Sequence, residues 1–171
     1  MQWRVPKKEK TRIGERRSQV HFAWLPVDCK DPDGSVYKVW WEHFTVVYEF
    51  LPIFPIATLA DAHRVVREAA RPNSGILIDN LHLRSSGATP SAVADYDLAL
   101  FPYVQIADAP LAVPDGGPAG LMEEALHGRS WPGDGGLPID EFMTLVPDVP
   151  ISYEVRSRAT REGWPDAFER A

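Results

Sequence analysis

The segment Gly75-Ile76-Leu77-Ile78-Asp79-Asn80-Leu81-His82-Leu83-Arg84-Ser85-Ser86-Gly87 decides how this chain is read. Its first four residues are apolar and do not alternate with polar ones, the pattern of a strand covered on both faces, as in a parallel sheet. Asp79 closes the run, and a charge in that position must be paired or must stand at the strand's exit. At the exit its carboxylate points into the mouth of the sheet, where a metal or a polar ligand would neutralise it. The other reading is that Asp79 caps the turn that follows. This segment by itself leaves both open.

Outward from it, strands alternate with helices. Phe44-Thr45-Val46-Val47-Tyr48-Glu49-Phe50 is a β-branched and aromatic run that Pro52 ends, with Glu49 near its exit. Thr58 then precedes a helix in which Leu59, Ala62, Val65, Val66 and Ala69 share one face, closed by Arg71-Pro72-Asn73. Beyond the opening segment, Thr89-Pro90-Ser91 predicts a second helix through Leu98, with Pro in its first turn. Tyr103-Val104-Gln105-Ile106-Ala107-Asp108 is a further strand with polar residues at its end. From Ala109 to Pro138 the sequence reads as one long Gly- and Pro-rich loop with a single helical turn at Glu123–His127, and loops of that length are commonly functional. A helix over Ile139–Val146, a strand over Val149–Val155 and a last helix over Thr160–Ala171 complete the series.

A chain of 171 residues with one cysteine, Cys29, and a net charge of −6 fits one soluble domain without a disulfide framework or a cysteine-rich zinc site. No apolar stretch approaches the roughly 20 residues of a membrane span, so the expectation is a cytoplasmic protein with no membrane partner. The acidic balance disfavours nucleic acid. Arg4, Lys7, Lys8, Lys10, Arg12, Arg16 and Arg17 crowd the start without interleaved aromatic residues, which reads as a solvated, mobile tail.

Alternating strands and helices predict a parallel sheet with right-handed crossovers. Glu49, Asp79, Gln105 and Glu154 each fall near the carboxyl end of a strand, where α/β folds place their chemistry. Converging carboxylates repel one another unless a divalent cation gathers them. Three carboxylates and an amide suit Mn²⁺ or Mg²⁺, with Co²⁺ or Zn²⁺ as alternatives.

In their order, Tyr48-Glu49-Phe50, Asp79-Asn80-Leu81-His82 with Arg84-Ser85-Ser86-Gly87, Val104-Gln105-Ile106-Ala107-Asp108, Arg129-Ser130-Trp131-Pro132-Gly133-Asp134-Gly135 and Tyr153-Glu154-Val155 resemble the xylose isomerase-like TIM-barrel superfamily, most closely its sugar phosphate isomerases and epimerases. The resemblance covers roughly residues 44 to 158. It implies an α/β fold, a partial TIM barrel of about four parallel βα units corresponding to the second half of eight. It further implies metal ligands Glu49, Asp79, Gln105 and Glu154, and a substrate contact at His82. Arg129 would pair with substrate anion or oxygen on a flexible lid, and Trp131 would close the site against water. The implied reaction is isomerisation or epimerisation of a sugar or sugar phosphate through an enediolate, with Glu49 and Glu154 moving the proton and His82 assisting.

The expected organisation is an atypical basic segment over residues 1–43, partly disordered, followed by a half-barrel domain over residues 44–171. Half a barrel leaves open sheet edges, which a homodimer would cover, or it belongs to a truncated product of reduced activity. Gly136 departs from the acidic residue that relatives often carry there. Two rivals stand beside the isomerase: a metal-dependent dehydratase of a dehydroshikimate-like acid, and a non-catalytic barrel fragment or interaction module. An apurinic endonuclease fits less well, because of the five histidines His21, His43 and His63 are not at strand exits.

Overall fold

The computed structural model describes residues 27–30, 36–39 and 45–163. The basic tail, and residues 164–171 of the expected last helix, lie outside the described residues. Two compact units divide the chain, Met1–Val46 and Val47–Ala171. In the first, β1 (Val27–Lys30) pairs antiparallel with β2 (Val36–Val39), Val27 opposite Val39 and Lys30 opposite Val36. Reading residues 1–43 as an atypical basic segment, partly disordered, does not anticipate this strand pair, although Asp31-Pro32-Asp33-Gly34 between the two strands has reversal chemistry.

The second unit is built on one open sheet of four parallel strands. Its order is β3 (Val46–Glu49), β4 (Ser74–Asp79), β5 (Val104–Ile106) and β6 (Ile151–Tyr153). Between the first two runs α1 (Leu59–Ala69), capped by the Thr58 hydroxyl, which accepts the Asp61 N–H at 3.1 Å. Ala70 ends it in the left-handed region at φ 48°. Leu59, Ala62 and Val66 are its buried stripe, as the spacing predicts. Successive residues of a strand face opposite sides. Ile76 and Ile78 of β4 and Val104 and Ile106 of β5 therefore join Leu59, Ala62, Val66, Leu83, Phe142 and Val146 in one core. Asp79 and Gln105, directly opposite each other in the parallel register, belong to the other side.

Several elements differ from expectation, each for a physical reason. The strands β3, β5 and β6 are shorter than their expected runs, and β5 is only three residues long, so Gln105 is its central residue and not its exit. After Asp79 the chain forms a short helix, α2 (Asn80–Ser85), in place of a bare turn. Two 3₁₀ turns, Pro90–Asp95 and Leu98–Leu100, replace the second α-helix. Asp97 contributes, because its carboxylate accepts the Ala99 N–H at 2.9 Å and so offers the backbone a local alternative to a continuous helix. The largest departure is α3 (Gly117–His127), 11 residues long, inside the supposed structureless loop. Gly116, Gly117 and Gly120 depress helix propensity at its start and hide it from a periodicity argument, while Pro118 fits the first turn. The elements α4 (Ile139–Leu145) and α5 (Arg158–Gly163) follow. No helix among the described residues is long and apolar enough to cross a membrane.

Ile78 has no solvent exposure and sits one residue before Asp79, between sheet and helices. Ile78→Ala should cost about 2–5 kcal/mol of folding free energy, read as a lower urea midpoint at unchanged slope.

Candidate functional site

Asp79 occupies both of the roles its sequence position allows. As the last residue of β4 it caps α2, its Oδ1 accepting the N–H groups of Leu81 at 2.8 Å and His82 at 3.3 Å. Its Oδ2 accepts Arg129 Nη1 at 2.5 Å, with both side chains almost entirely buried. The cap starts α2 at the sheet's mouth, and one turn on, His82 returns to the face of Asp79. Glu49, the last residue of β3, completes a cluster in which one donor atom from each of Glu49, Asp79 and His82 lies within 4.8 Å of the others.

Of the remaining expected residues, Gln105, Glu154 and Arg129 adjoin this cluster. Gln105 is level with Asp79 across the sheet, and its Oε1 is buried without a hydrogen-bond partner. Glu154 follows β6, and its backbone N–H donates to Ile106 O at 3.2 Å. Its carboxylate rests between two arginines, Oε1 at 2.9 Å from Arg156 Nε and Oε2 at 3.6 Å from Arg129 Nη2. The three-member cluster therefore contains His82, while Glu154 joins it through Arg129. Trp131 is exposed, its ring 6.4 Å from that of Tyr153.

Arg129 is not carried by a flexible lid. Antiparallel bridges pin the chain on both sides of it, Gly128 to Ser157 and Ser130 to Asp108. Asp108 is the organiser that sequence reasoning passed over. Its Oδ1 accepts from Ala109 N at 2.8 Å and Leu137 N at 3.0 Å, and its Oδ2 from Gly133 N at 2.9 Å. A β-carbon at Gly135 would lie 2.3 Å from Asp108 Oδ1, so the Pro-Gly-x-Gly segment is glycine-bearing in order to wrap this carboxylate. Burial alone would raise the Asp108 pKa, but the backbone donors Leu137, Ala109, Gly133 and Gly135 outweigh it and hold the group below the ordinary range. Asn80 is a second omission. Its side chain donates to Ala107 O at 2.8 Å and accepts Ala107 N–H at 3.0 Å, tying α2 to the end of β5. The signal for both was their adjacency to Asp79 and Gln105 within the quoted motifs.

Electrostatics distinguish the cluster from a surface acidic patch. Burial, then the charges of Asp79 and Glu154, push Glu49 up to about 7 against the opposing pull of Arg129 and Arg156. Desolvation holds His82 below its ordinary value, with Arg129 and Arg84 adding to the effect and Asp79 opposing it. At neutral pH His82 is therefore an uncharged imidazole, the ligand-competent form. Its Nε2 accepts from Arg129 Nη2 at 3.3 Å, and so its 3.6 Å approach to Glu49 Oε1 is a contact and not an ion pair.

Among proteins of known structure, the chain is similar to a xylose isomerase-like TIM barrel/4-hydroxyphenylpyruvate dioxygenase fusion protein. The two are 29% identical with a TM-score of 0.56, over 64% of this chain and 18% of that one. The chain belongs to the xylose isomerase-like TIM-barrel superfamily. The IolI protein, solved with a bound zinc atom, has the same fold at 21% identity and a TM-score of 0.53, covering 65% of this chain and 40% of its own. So does a xylose isomerase domain protein from Alicyclobacillus acidocaldarius, at 24% identity and 0.51, covering 63% and 40%. Two curated relatives are named 3-dehydroshikimate dehydratase. The one from Pseudomonas aeruginosa is 33% identical over 116 residues, 68% of this chain and 17% of that protein. The one from Pseudomonas putida is 30% identical over 122 residues, 66% and 18%. The chain thus spans under a fifth of the length of the curated relatives it matches. No protein-family profile matches it.

The donor set fits a divalent ion on its own chemistry: two carboxylates and a neutral imidazole within mutual reach, beside a buried amide oxygen that lacks a donor. Glu49, protonated below about 7, must release its proton to become a ligand. Affinity for Mn²⁺ should therefore tighten by up to about tenfold per pH unit as pH rises toward 7 and level off above it. Calorimetric titration at pH 6, 7 and 8 checks this, and a profile flat across that range would contradict it.

Proposed function

We propose that the chain is the metal-site portion of a metal-dependent lyase that removes water from a small dehydroshikimate-like acid. The observation that carries this reading is the Glu49–Asp79–His82 cluster at the strand ends, with Asp79 and His82 buried, Glu49 half-buried and Glu154 flanking it. Similarity to two proteins named 3-dehydroshikimate dehydratase supports dehydration over the isomerisation expected from sequence.

Glu49, Asp79, Gln105 and Glu154 would hold the ion, with His82 within ligand reach. When bound, a divalent cation supplies Lewis-acid polarisation of the substrate's carbonyl oxygen. The chain's own residues manage the protons. One of the two flanking carboxylates, Glu49 or Glu154, takes the proton from the carbon beside the carbonyl as the C–H bond breaks. A double bond forms toward the neighbouring carbon as its C–O bond breaks, and the departing hydroxide takes the proton back from that carboxyl group and leaves as water. Glu49 suits such transfer because its pKa of about 7 lies near working pH. The neutral His82 ring faces the same space and can hydrogen-bond a substrate hydroxyl.

Sugar isomerisation is the second reading, and the same cluster favours it, because both reactions begin with proton removal next to a carbonyl. Incubation of the chain with 3-dehydroshikimate and Mn²⁺, with the dehydrated product followed by mass spectrometry, tests the first; a panel of ketoses tests the second. Glu154→Gln and Glu49→Gln should each lower turnover about 10²–10⁴-fold. Turnover indifferent to both substitutions would remove the mechanism, and turnover of ketoses alone would replace the dehydratase with the isomerase.

A further inference from the structure

The guanidinium of Arg129 is completely occupied by the protein. Its Nε donates to Ala125 O at 3.1 Å, and its Nη1 donates to Asp79 Oδ2 at 2.5 Å and to Glu154 O at 3.3 Å. Its Nη2 donates to His82 Nε2 at 3.3 Å and lies 3.6 Å from Glu154 Oε2. Four hydrogen bonds and one ion-pair contact engage a side chain with five N–H donors, and Arg129 is 3% exposed. No donor remains to recognise a substrate anion, the role that resemblance assigns to this residue.

The position explains what the arginine does. Three carboxylates, Glu49, Asp79 and Glu154, meet at the strand ends, and Asp79 has no exposure to solvent. Of the other arginines nearby, Arg84 is paired with Glu124, and Arg156 contacts Glu154 but is itself more than half exposed. We propose that Arg129 is a built-in counter-cation: it assembles and neutralises the carboxylate cluster in the metal-free chain, and a bound divalent ion takes over that charge balance. Arg129 is thus a positioning residue that acts through Asp79, Glu154 and His82. The inference rests on the metal-site reading above, and it adds that guanidinium and metal ion share the same carboxylates at a mutual electrostatic cost.

The test uses the full 171-residue chain and reads thermal melting and Mn²⁺ titration, not turnover. Without metal, Arg129→Met should melt about 5–10 °C below the parent, and saturating Mn²⁺ should recover most of that loss. Its Mn²⁺ affinity should be on the order of tenfold tighter, since a repelling charge is gone. Arg129→Lys keeps the charge and should stay near the parent in both measurements. The double variant Arg129→Met with Asp79→Asn removes the buried charge that the arginine balances and keeps a capping oxygen for α2, so it should melt near the parent without metal and respond weakly to Mn²⁺. If Arg129→Met cannot be obtained folded, recovery of a folded double variant supports the proposal by itself. Equal losses in the Lys and Met variants, with no recovery in the double variant, would show that Arg129 only fills space and would overturn it. Failure of every form to bind Mn²⁺, with recovery of the double variant intact, would instead count against the metal reading and leave the counter-cation standing.

Discussion

A carboxylate with no solvent exposure lies at the centre of this structure, and each of its oxygens has a separate partner. Asp79 Oδ1 starts α2 by accepting two of the helix's free N–H groups, while Oδ2 accepts the guanidinium of Arg129 from a segment 50 residues away in sequence. Burying a charge is tolerable only when it is paired and hydrogen-bonded, and both conditions are met here by backbone and side chain together. The helix that Asp79 begins carries His82 back over the strand end, and the arginine it binds reaches across to Glu154. Without that carboxylate, neither the imidazole nor the arginine has a reason to face the sheet's mouth.

The sheet supplies the second constraint. Parallel pairing sets Asp79 opposite Gln105, and Gln105 opposite Ser152, so the polar residues of successive strands reach comparable heights. The helix-facing positions of the same strands are Ile76, Ile78, Val104 and Ile106, all fully or almost fully buried. Period-two alternation thus divides each strand between a core that anchors it and a face that carries chemistry. A shift of one residue in register would send Asp79 into the aliphatic core, which is why core packing and site geometry are parts of a single requirement.

Much of this was legible in the sequence wherever the determinant is local. The Thr58 cap with the stripe of Leu59, Ala62 and Val66 needs only neighbouring residues, and so does the apolar run that ends at Asp79. The superfamily followed from such motifs. Pairings between distant segments stayed hidden. Nothing near Arg129 announces that its guanidinium will be buried against Asp79, and a glycine-rich neighbourhood suggests mobility until Asp108 is seen to gather the backbone N–H groups of Ala109, Gly133 and Leu137. Glycines conveyed flexibility in one place and close packing in another. At α3 they concealed a helix, and at Gly135 they admitted a buried carboxylate.

The placement of the two outer carboxylates follows from strand order. β3 and β6 are the outer strands of the four, so Glu49 and Glu154 reach the mouth from opposite edges of the sheet, while Asp79 and Gln105 stand on the two central strands. A small molecule lying across the mouth would therefore have a carboxylate at either end. Such a layout favours reactions in which a proton leaves one atom and is delivered to another a few bonds away, whether that second atom is carbon or a departing hydroxyl oxygen. The two edges also differ. Glu49 lies beside an uncharged histidine with its proton held to about 7, and Glu154 lies between Arg129 and Arg156. The asymmetry is one of surroundings: strand order puts an uncharged ring beside one outer carboxylate and two guanidinium groups beside the other, so the two ends of the mouth present different chemistry to whatever lies between them.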